Sequence, residues 1–177
     1  MANYIVKEEI SKRLDELDEF VSLSDRHNPE PLKAIIVGGA ALILRGYIDR
    51  STKDIDFLYV SKEIEKFLKG LDMNTRVQAY LLNFPEDYEA RLQPLNIGGR
   101  KIRFYTASLE DIVIAKLYSY RDHDIMDINN EEVVKDIDWV LLDRLAADKI
   151  EFSLNQNEKS TFSSIYDSYR AKHSAIS

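Results

Sequence analysis

Lys53-Asp54-Ile55-Asp56-Phe57-Leu58-Tyr59-Val60 carries two carboxylates two positions apart in an otherwise apolar, strand-like run. Residues two apart in a strand share a face. Asp54 and Asp56 are therefore expected to project together, with Ile55 and Phe57 turned to the opposite side. Adjacent carboxylates repel unless a cation lies between them. Hard oxygen donors select Mg²⁺ or Mn²⁺, ions commonly shared with substrate phosphates. A lone Asp-x-Asp is more often the solvated face of an edge strand; the residues upstream alter that balance.

Ala34-Ile35-Ile36-Val37 is a short β-branched run of the kind found in buried strands, and it ends in Gly38-Gly39. Ala40 to Arg45 then has helical composition, with Gly46 as its stop. Strand, glycine pair and helix form the layout in which backbone N–H groups at a helix N-terminus meet a phosphate. Two glycines remove the Cβ atoms that would hold a triphosphate away.

Gly38-Gly39, the helix, and Arg50-Ser51-Thr52-Lys53-Asp54-Ile55-Asp56 together resemble the signature of the polymerase-β-type nucleotidyltransferase superfamily. Its R-x-T-x-D-x-D form is similar to the small bacterial branch that includes the AbiEii-like toxins. The resemblance covers about residues 33 to 130. It implies an α/β (α+β) fold, a small mixed sheet flanked by helices. It also implies a nucleotide held by Gly38 and Gly39, with Arg50 and Thr52 beside it, and metal held by Asp54 and Asp56.

A second cluster lies downstream. Ser108-Leu109-Glu110-Asp111 fits a helix N-cap with an acid three residues on. Leu109, Ile112, Val113, Leu117 and Tyr120 follow at helical spacing. Lys116 falls on that apolar face. If the helix continues, Tyr120, Asp124 and Asp127 line up with it within an arc of about 80°. Charges on a buried stripe cost free energy unless they pair or serve a ligand. A Lys snorkelling to a nearby Asp satisfies the same pattern. The AbiEii-like branch carries a similar Lys helix followed by an R-x-x-D-x-x-D-like segment, here Arg121 to Asp127. By that resemblance Lys116 contacts nucleotide phosphate, and Asp124 or Asp127 lies beside the nucleophile. Many superfamily members also place a third carboxylate on a later strand. The strand-like run Lys101 to Thr106 has Arg103 in that slot, leaving Glu89 and Asp124 as other candidates.

The chain's 177 residues, 45% hydrophobic and 31% charged, suit a single domain over 1–177 with a core of about 33–130 and a helical tail of about 131–173. The absence of cysteine excludes disulfides and thiolate metal sites. Three scattered histidines give a zinc cluster little support. The N-terminus lacks the pattern of a signal peptide, and the apolar stretch Ala34 to Leu44 is too short to span a bilayer; cytoplasmic residence and no membrane partner are expected. A net charge of −7 argues against an extended duplex-binding surface. A local basic patch is still available from Arg45, Arg50, Lys53, Arg91, Arg100, Lys101 and Arg103.

Elsewhere, Ile10, Leu14, Leu17 and Val21 mark an amphipathic helix over about Lys7 to Leu23. Ser61 is expected to cap a helix bearing Ile64, Phe67 and Leu68. Residues 77–82 read as a strand, and Gly98-Gly99 as a hairpin turn. Val133, Val134, Ile137, Val140, Leu141 and Leu145 read as one helical stripe. Asn155-Gln156-Asn157 breaks it before a last helix with Phe162, Ile165, Tyr166 and Tyr169. This tail could pack on the site, guide an acceptor or bind a partner.

The leading expectation is a metal-dependent nucleotidyltransferase that moves a nucleotidyl group from an NTP to a hydroxyl on tRNA, a protein or a small molecule. A non-catalytic nucleotide- or partner-binding module is the alternative, favoured by Arg103 in the acid slot. The resemblance adds a third possibility, a toxin neutralised by a cognate antitoxin.

Overall fold

In a computed structural model, which describes residues 4–25, 28–68, 73–74, 81–152 and 155–174, the apolar run before the glycine pair becomes the middle strand of a mixed sheet. The strands are β1 (Leu32–Val37), β2 (Ile55–Val60), β3 (Met73–Asn74), β4 (Gln93–Gly98) and β5 (Ile102–Thr106), in the order β3-β2-β1-β5-β4. β1 runs antiparallel to β2 and parallel to β5. β3 is parallel to β2, and β4 antiparallel to β5. A central strand is covered on both faces, which is why Ala34, Ile35 and Ile36 are fully buried. Register across β1 and β2 pairs Val37 with Asp56, past an irregularity between Ile35 and Ile36. The chain therefore leaves β1 at Gly38 alongside the Asp56 carboxylate.

Helix α1 (Lys7–Ser24) buries Ile10, Leu14, Leu17 and Val21 completely, as its spacing predicts. It packs on β4 and β5 and on the helices α2 (Gly38–Arg45) and α3 (Lys62–Leu68). Asp18 lies on the same buried stripe. Its carboxylate accepts the backbone N–H groups of Arg100, Lys101 and Ile102 at 2.8, 2.8 and 2.6 Å. Charge-assisted bonds of this kind are among the stronger ones in a fold. They tie α1 to the β4–β5 hairpin, where Gly98 and Gly99 take φ of +66° and +99°. The hairpin read from Gly98-Gly99 is present.

Further along the described residues come a 3-10 turn (Tyr88–Arg91) and the helices α4 (Leu109–Ser119), α5 (Asp122–Ile128), α6 (Glu131–Asp136), α7 (Trp139–Phe152) and α8 (Gln156–His173). Several expectations need correction. The stripe read as one helix from Glu131 is two. Ile137 is extended (φ −65°, ψ 127°), and the Asp138 carboxylate then caps α7 by accepting the Leu141 N–H at 3.0 Å. Val140, expected inward, is 82% exposed. Ser61 does precede α3, but its hydroxyl accepts the Lys33 N–H and donates to the Lys33 carbonyl, so it ties α3 to β1 in place of a side-chain cap. The strand read over 77–82 falls mostly outside the described residues; its described end, Leu81 and Leu82, is helix and turn.

Asn155 caps α8 in a capping box with Glu158. α8 buries Phe162, Tyr166 and Tyr169 against α4 and α7, and the Tyr169 hydroxyl donates to the Ile128 carbonyl at 2.7 Å. One apolar cluster runs from Ile10 of α1 to Tyr169 of α8. Among the described residues no helix is long and apolar enough to cross a membrane.

Candidate active site

The turn from β1 into α2 is built around its two glycines. Gly38 has φ of +69°, and a Cβ there would lie 3.3 Å from Asp56 Oδ2. A Cβ on Gly39 would lie 2.8 Å from Arg50 Nη2. The pair thus lets an acidic and a basic side chain close on bare backbone. The first N–H groups of α2 have no intrahelical acceptor, so they are available to an anion.

Asp54 is exposed just ahead of β2, and Asp56 is the second residue of the strand, partly buried. Ile55 and Phe57 turn into the core, at 0% and 1% exposure. Both carboxylates line one cleft with Gly38 and Gly39. Burial, and then the neighbouring Asp54 charge, push the Asp56 carboxyl up to about 6. A hydrogen bond with the Asn74 side chain and the charges of Arg121 and Lys116 pull the other way. Asp54 and Asp56 are a hard-oxygen pair whose mutual repulsion a divalent cation would relieve, so these residues fit Mg²⁺ or Mn²⁺.

Sequence spacing left the third acid open among Arg103's slot, Glu89 and Asp124. Arg103 is on the exposed side of β5 and donates to the Gly99 carbonyl at 2.5 Å. Glu89 is exposed and paired with Lys33 at 2.8 Å. Asp124 does line the cleft. The residue in register beside Asp56 on β3 is Asn74, an amide that sequence reasoning missed. A two-residue edge strand carries too little alternation to be legible. Among the described residues, no group of three or more His, Cys, Asp or Glu side chains is arranged to hold a metal.

Lys116 sits on α4, whose N-cap is Ser108 as expected, with its hydroxyl accepting the Asp111 N–H. The helix does not continue through Tyr120 as the spacing suggested. Tyr120 is left-handed (φ 48°) and 58% exposed, and the chain restarts as α5. That break folds α5 back on α4 and still brings the three charges together. Lys116 Nζ donates to Asp124 Oδ1 at 2.6 Å and to Asp127 Oδ2 at 2.8 Å. Ser119 and Arg121 donate to the second oxygen of Asp124 at 2.7 and 2.8 Å. Arg50 grips Asp127 with both arms, at 2.8 and 2.7 Å.

Burial alone would raise both carboxyls. Lys116, Ser119 and Arg121 outweigh it at Asp124, as do Arg50 and Lys116 at Asp127, so both are held below the ordinary range. The Asp127 hydrogen bond raises Arg50 further. Thr52 is buried; its hydroxyl donates to the Asp54 carbonyl at 3.3 Å, and its backbone forms a bridge with Ile5.

Of the seven basic residues read as a local patch, Arg50 and Lys53 line the cleft. The others have structural work elsewhere. Arg45 donates to Thr106 and the Gln93 carbonyl, Arg91 to Asp87 and Asp111, and Lys101 pairs with Asp25. His123, the one histidine that the sequence placed near the site, lines the cleft, and so does Tyr4, which the sequence did not mark. Its volume is about 430 Å³. It meets a smaller recess of about 50 Å³ lined by Val37, Asn83, Phe84, Ile112 and Ala115; both share Gly38, Asp56, Lys116, Arg121 and Asp124. No described residue of the 131–173 tail lines either one.

No curated protein and no solved structure matches the chain. A family described as a nucleotidyltransferase of unknown function (DUF6036) matches residues 12–175, which takes in most of α1 and the whole tail as well as the 33–130 region. With a glycine-floored cleft, a paired Asp54–Asp56 wall and a match over nearly its whole length, the chain belongs to this DUF6036 nucleotidyltransferase family.

Proposed function

We propose that the protein transfers a nucleotidyl group from an NTP to an acceptor hydroxyl, with Mg²⁺ or Mn²⁺ held by Asp54 and Asp56. The observation that carries this reading is the contact of Gly38 with the Asp56 carboxylate inside one cleft, which brings an anion-binding turn and a cation-binding pair to the same point. Bound there, the cation supplies neutralising charge to the phosphate oxygens.

The chain's own residues do the rest. Gly38 and Gly39 offer backbone N–H groups to the polyphosphate. Arg50 packs over Gly39, and Lys53 lines the same cleft. Lys116 and Arg121 line the same cleft and add positive charge beside the phosphates. Asp124 and Asp127 act as positioning residues, since their oxygens are taken up by Lys116, Arg121, Ser119 and Arg50. The acceptor oxygen bonds to the α-phosphorus as the bond to the bridging oxygen breaks. Pyrophosphate leaves with that electron pair, and the hydroxyl proton passes to water in the open cleft.

The test is Mg²⁺-dependent pyrophosphate release over a panel of tRNA, protein and small-molecule acceptors. Release that disappears in Asp54→Asn and Asp56→Asn supports the transferase. NTP binding with no release on any acceptor supports a second reading, a nucleotide-binding module without turnover. Asn74, an amide in register with Asp56, is the observation that favours this second reading. The R-x-T-x-D-x-D resemblance extends the proposal to a toxin with a cognate antitoxin. Growth arrest on induction, absent in Asp56→Ala, is expected; normal growth with the wild-type chain counts against it.

A further inference from the structure

A nucleotide with its phosphates on Gly38 and Gly39 must lodge its base elsewhere in the cleft, whose other described lining residues are almost all polar or charged. Tyr4 supplies the one carbocyclic aromatic ring among the described lining residues. It is 61% exposed. Its backbone is nevertheless pinned. The next residue, Ile5, is 3% exposed and exchanges two hydrogen bonds with Thr52, N–H to carbonyl at 2.7 and 2.9 Å. Thr52 is two residues before Asp54, and Lys53 Nζ stands 5.6 Å from the Tyr4 ring centroid. The bridge therefore clamps the ring to the loop that carries the acidic pair. The 430 Å³ of the cleft falls within the range of small-molecule and cofactor sites.

Resting on the nucleotidyl-transfer reading, we propose that Tyr4 is the stacking platform for the base of the bound NTP. A ring held at the rim, open on more than half its surface and backed by a cation, offers a π-face to any base. Such recognition tolerates all four bases and ranks them by stacking strength, with purines ahead of pyrimidines.

The experiment compares ATP, GTP, CTP, UTP and inorganic tripolyphosphate, each with Mg²⁺, by titration calorimetry on the full chain and on Tyr4→Ala, Tyr4→Phe and Tyr4→Trp. Expected is a loss of roughly 10-fold or more in ATP affinity for Tyr4→Ala, the size of one base–aromatic stack. Tripolyphosphate affinity stays unchanged, Phe and Trp restore ATP binding, and the purine preference flattens in the alanine variant. Equal ATP affinity in wild type and Tyr4→Ala overturns the assignment. So does a parallel loss of tripolyphosphate, which would make Tyr4 a support of the loop and not of the base. A wild-type chain that binds neither ATP nor tripolyphosphate instead refutes the nucleotide reading itself.

Discussion

Replacing Asp56 by Asn should make the metal-free protein more stable while removing its cation site. Burial and the Asp54 charge raise the Asp56 carboxyl from its ordinary 3.8 to about 6 in the fold. A displacement of that size corresponds to about 3 kcal/mol. Partial exposure to water brings the expected effect to about 1–3 kcal/mol.

The sign is opposite to that of a salt-bridged aspartate. Because the folded value lies above the unfolded one, the ionised carboxylate is a burden on the fold. That burden is fully present above about pH 6, fades as pH falls through 6, and is gone below the ordinary value of 3.8, where both states are protonated. Asn keeps the shape and an oxygen for the Asn74 amide but carries no charge. In EDTA at pH 8, Asp56→Asn should therefore melt about 3–10 °C above wild type, given a chain of this length. Below pH 3.8 the two should converge.

Saturating Mg²⁺ or Mn²⁺ should reverse the order at pH 8, since only the wild-type pair gains from binding. Thermal unfolding at the two pH values, with and without metal, reads all of this. A variant less stable than wild type in EDTA at pH 8, or a difference that ignores pH, would refute the reasoning.

Lys116→Met should destabilise the fold by about 3 kcal/mol or more in urea unfolding, because it leaves Asp124 and Asp127 buried without the ammonium between them. Nucleotide affinity of the folded fraction should fall as well, since Lys116 also lines the cleft. Asp18→Ala should cost about 3 kcal/mol by stripping three backbone N–H groups at the β4–β5 turn of their acceptor, yet leave NTP affinity per folded molecule unchanged. A loss of affinity there would mean the hairpin reaches the site by some other route.

Local patterns made much of this protein legible before its fold. The period-2 run around Asp54 and Asp56, the apolar strand ending in Gly38-Gly39, the Ser108 cap and the α1 stripe are each set by neighbours within a turn or a few strand residues. They appear in the structure because backbone sterics and local burial dictate them.

What escaped the sequence depends on partners distant along the chain. Asn74 stands beside Asp56 only because β3 pairs with β2 in that register. Asp18 is tolerable inside α1 only because a hairpin more than eighty residues later presents its N–H groups. Tyr4 reaches the cleft through the Ile5–Thr52 bridge. The left-handed turn at Tyr120, not a continuing helix, directs Asp124 and Asp127 onto Lys116. Spacing along a chain encodes which residues share a face. Which faces meet is decided by the packing of the whole core, and in this protein that packing assembles the charged half of the cleft.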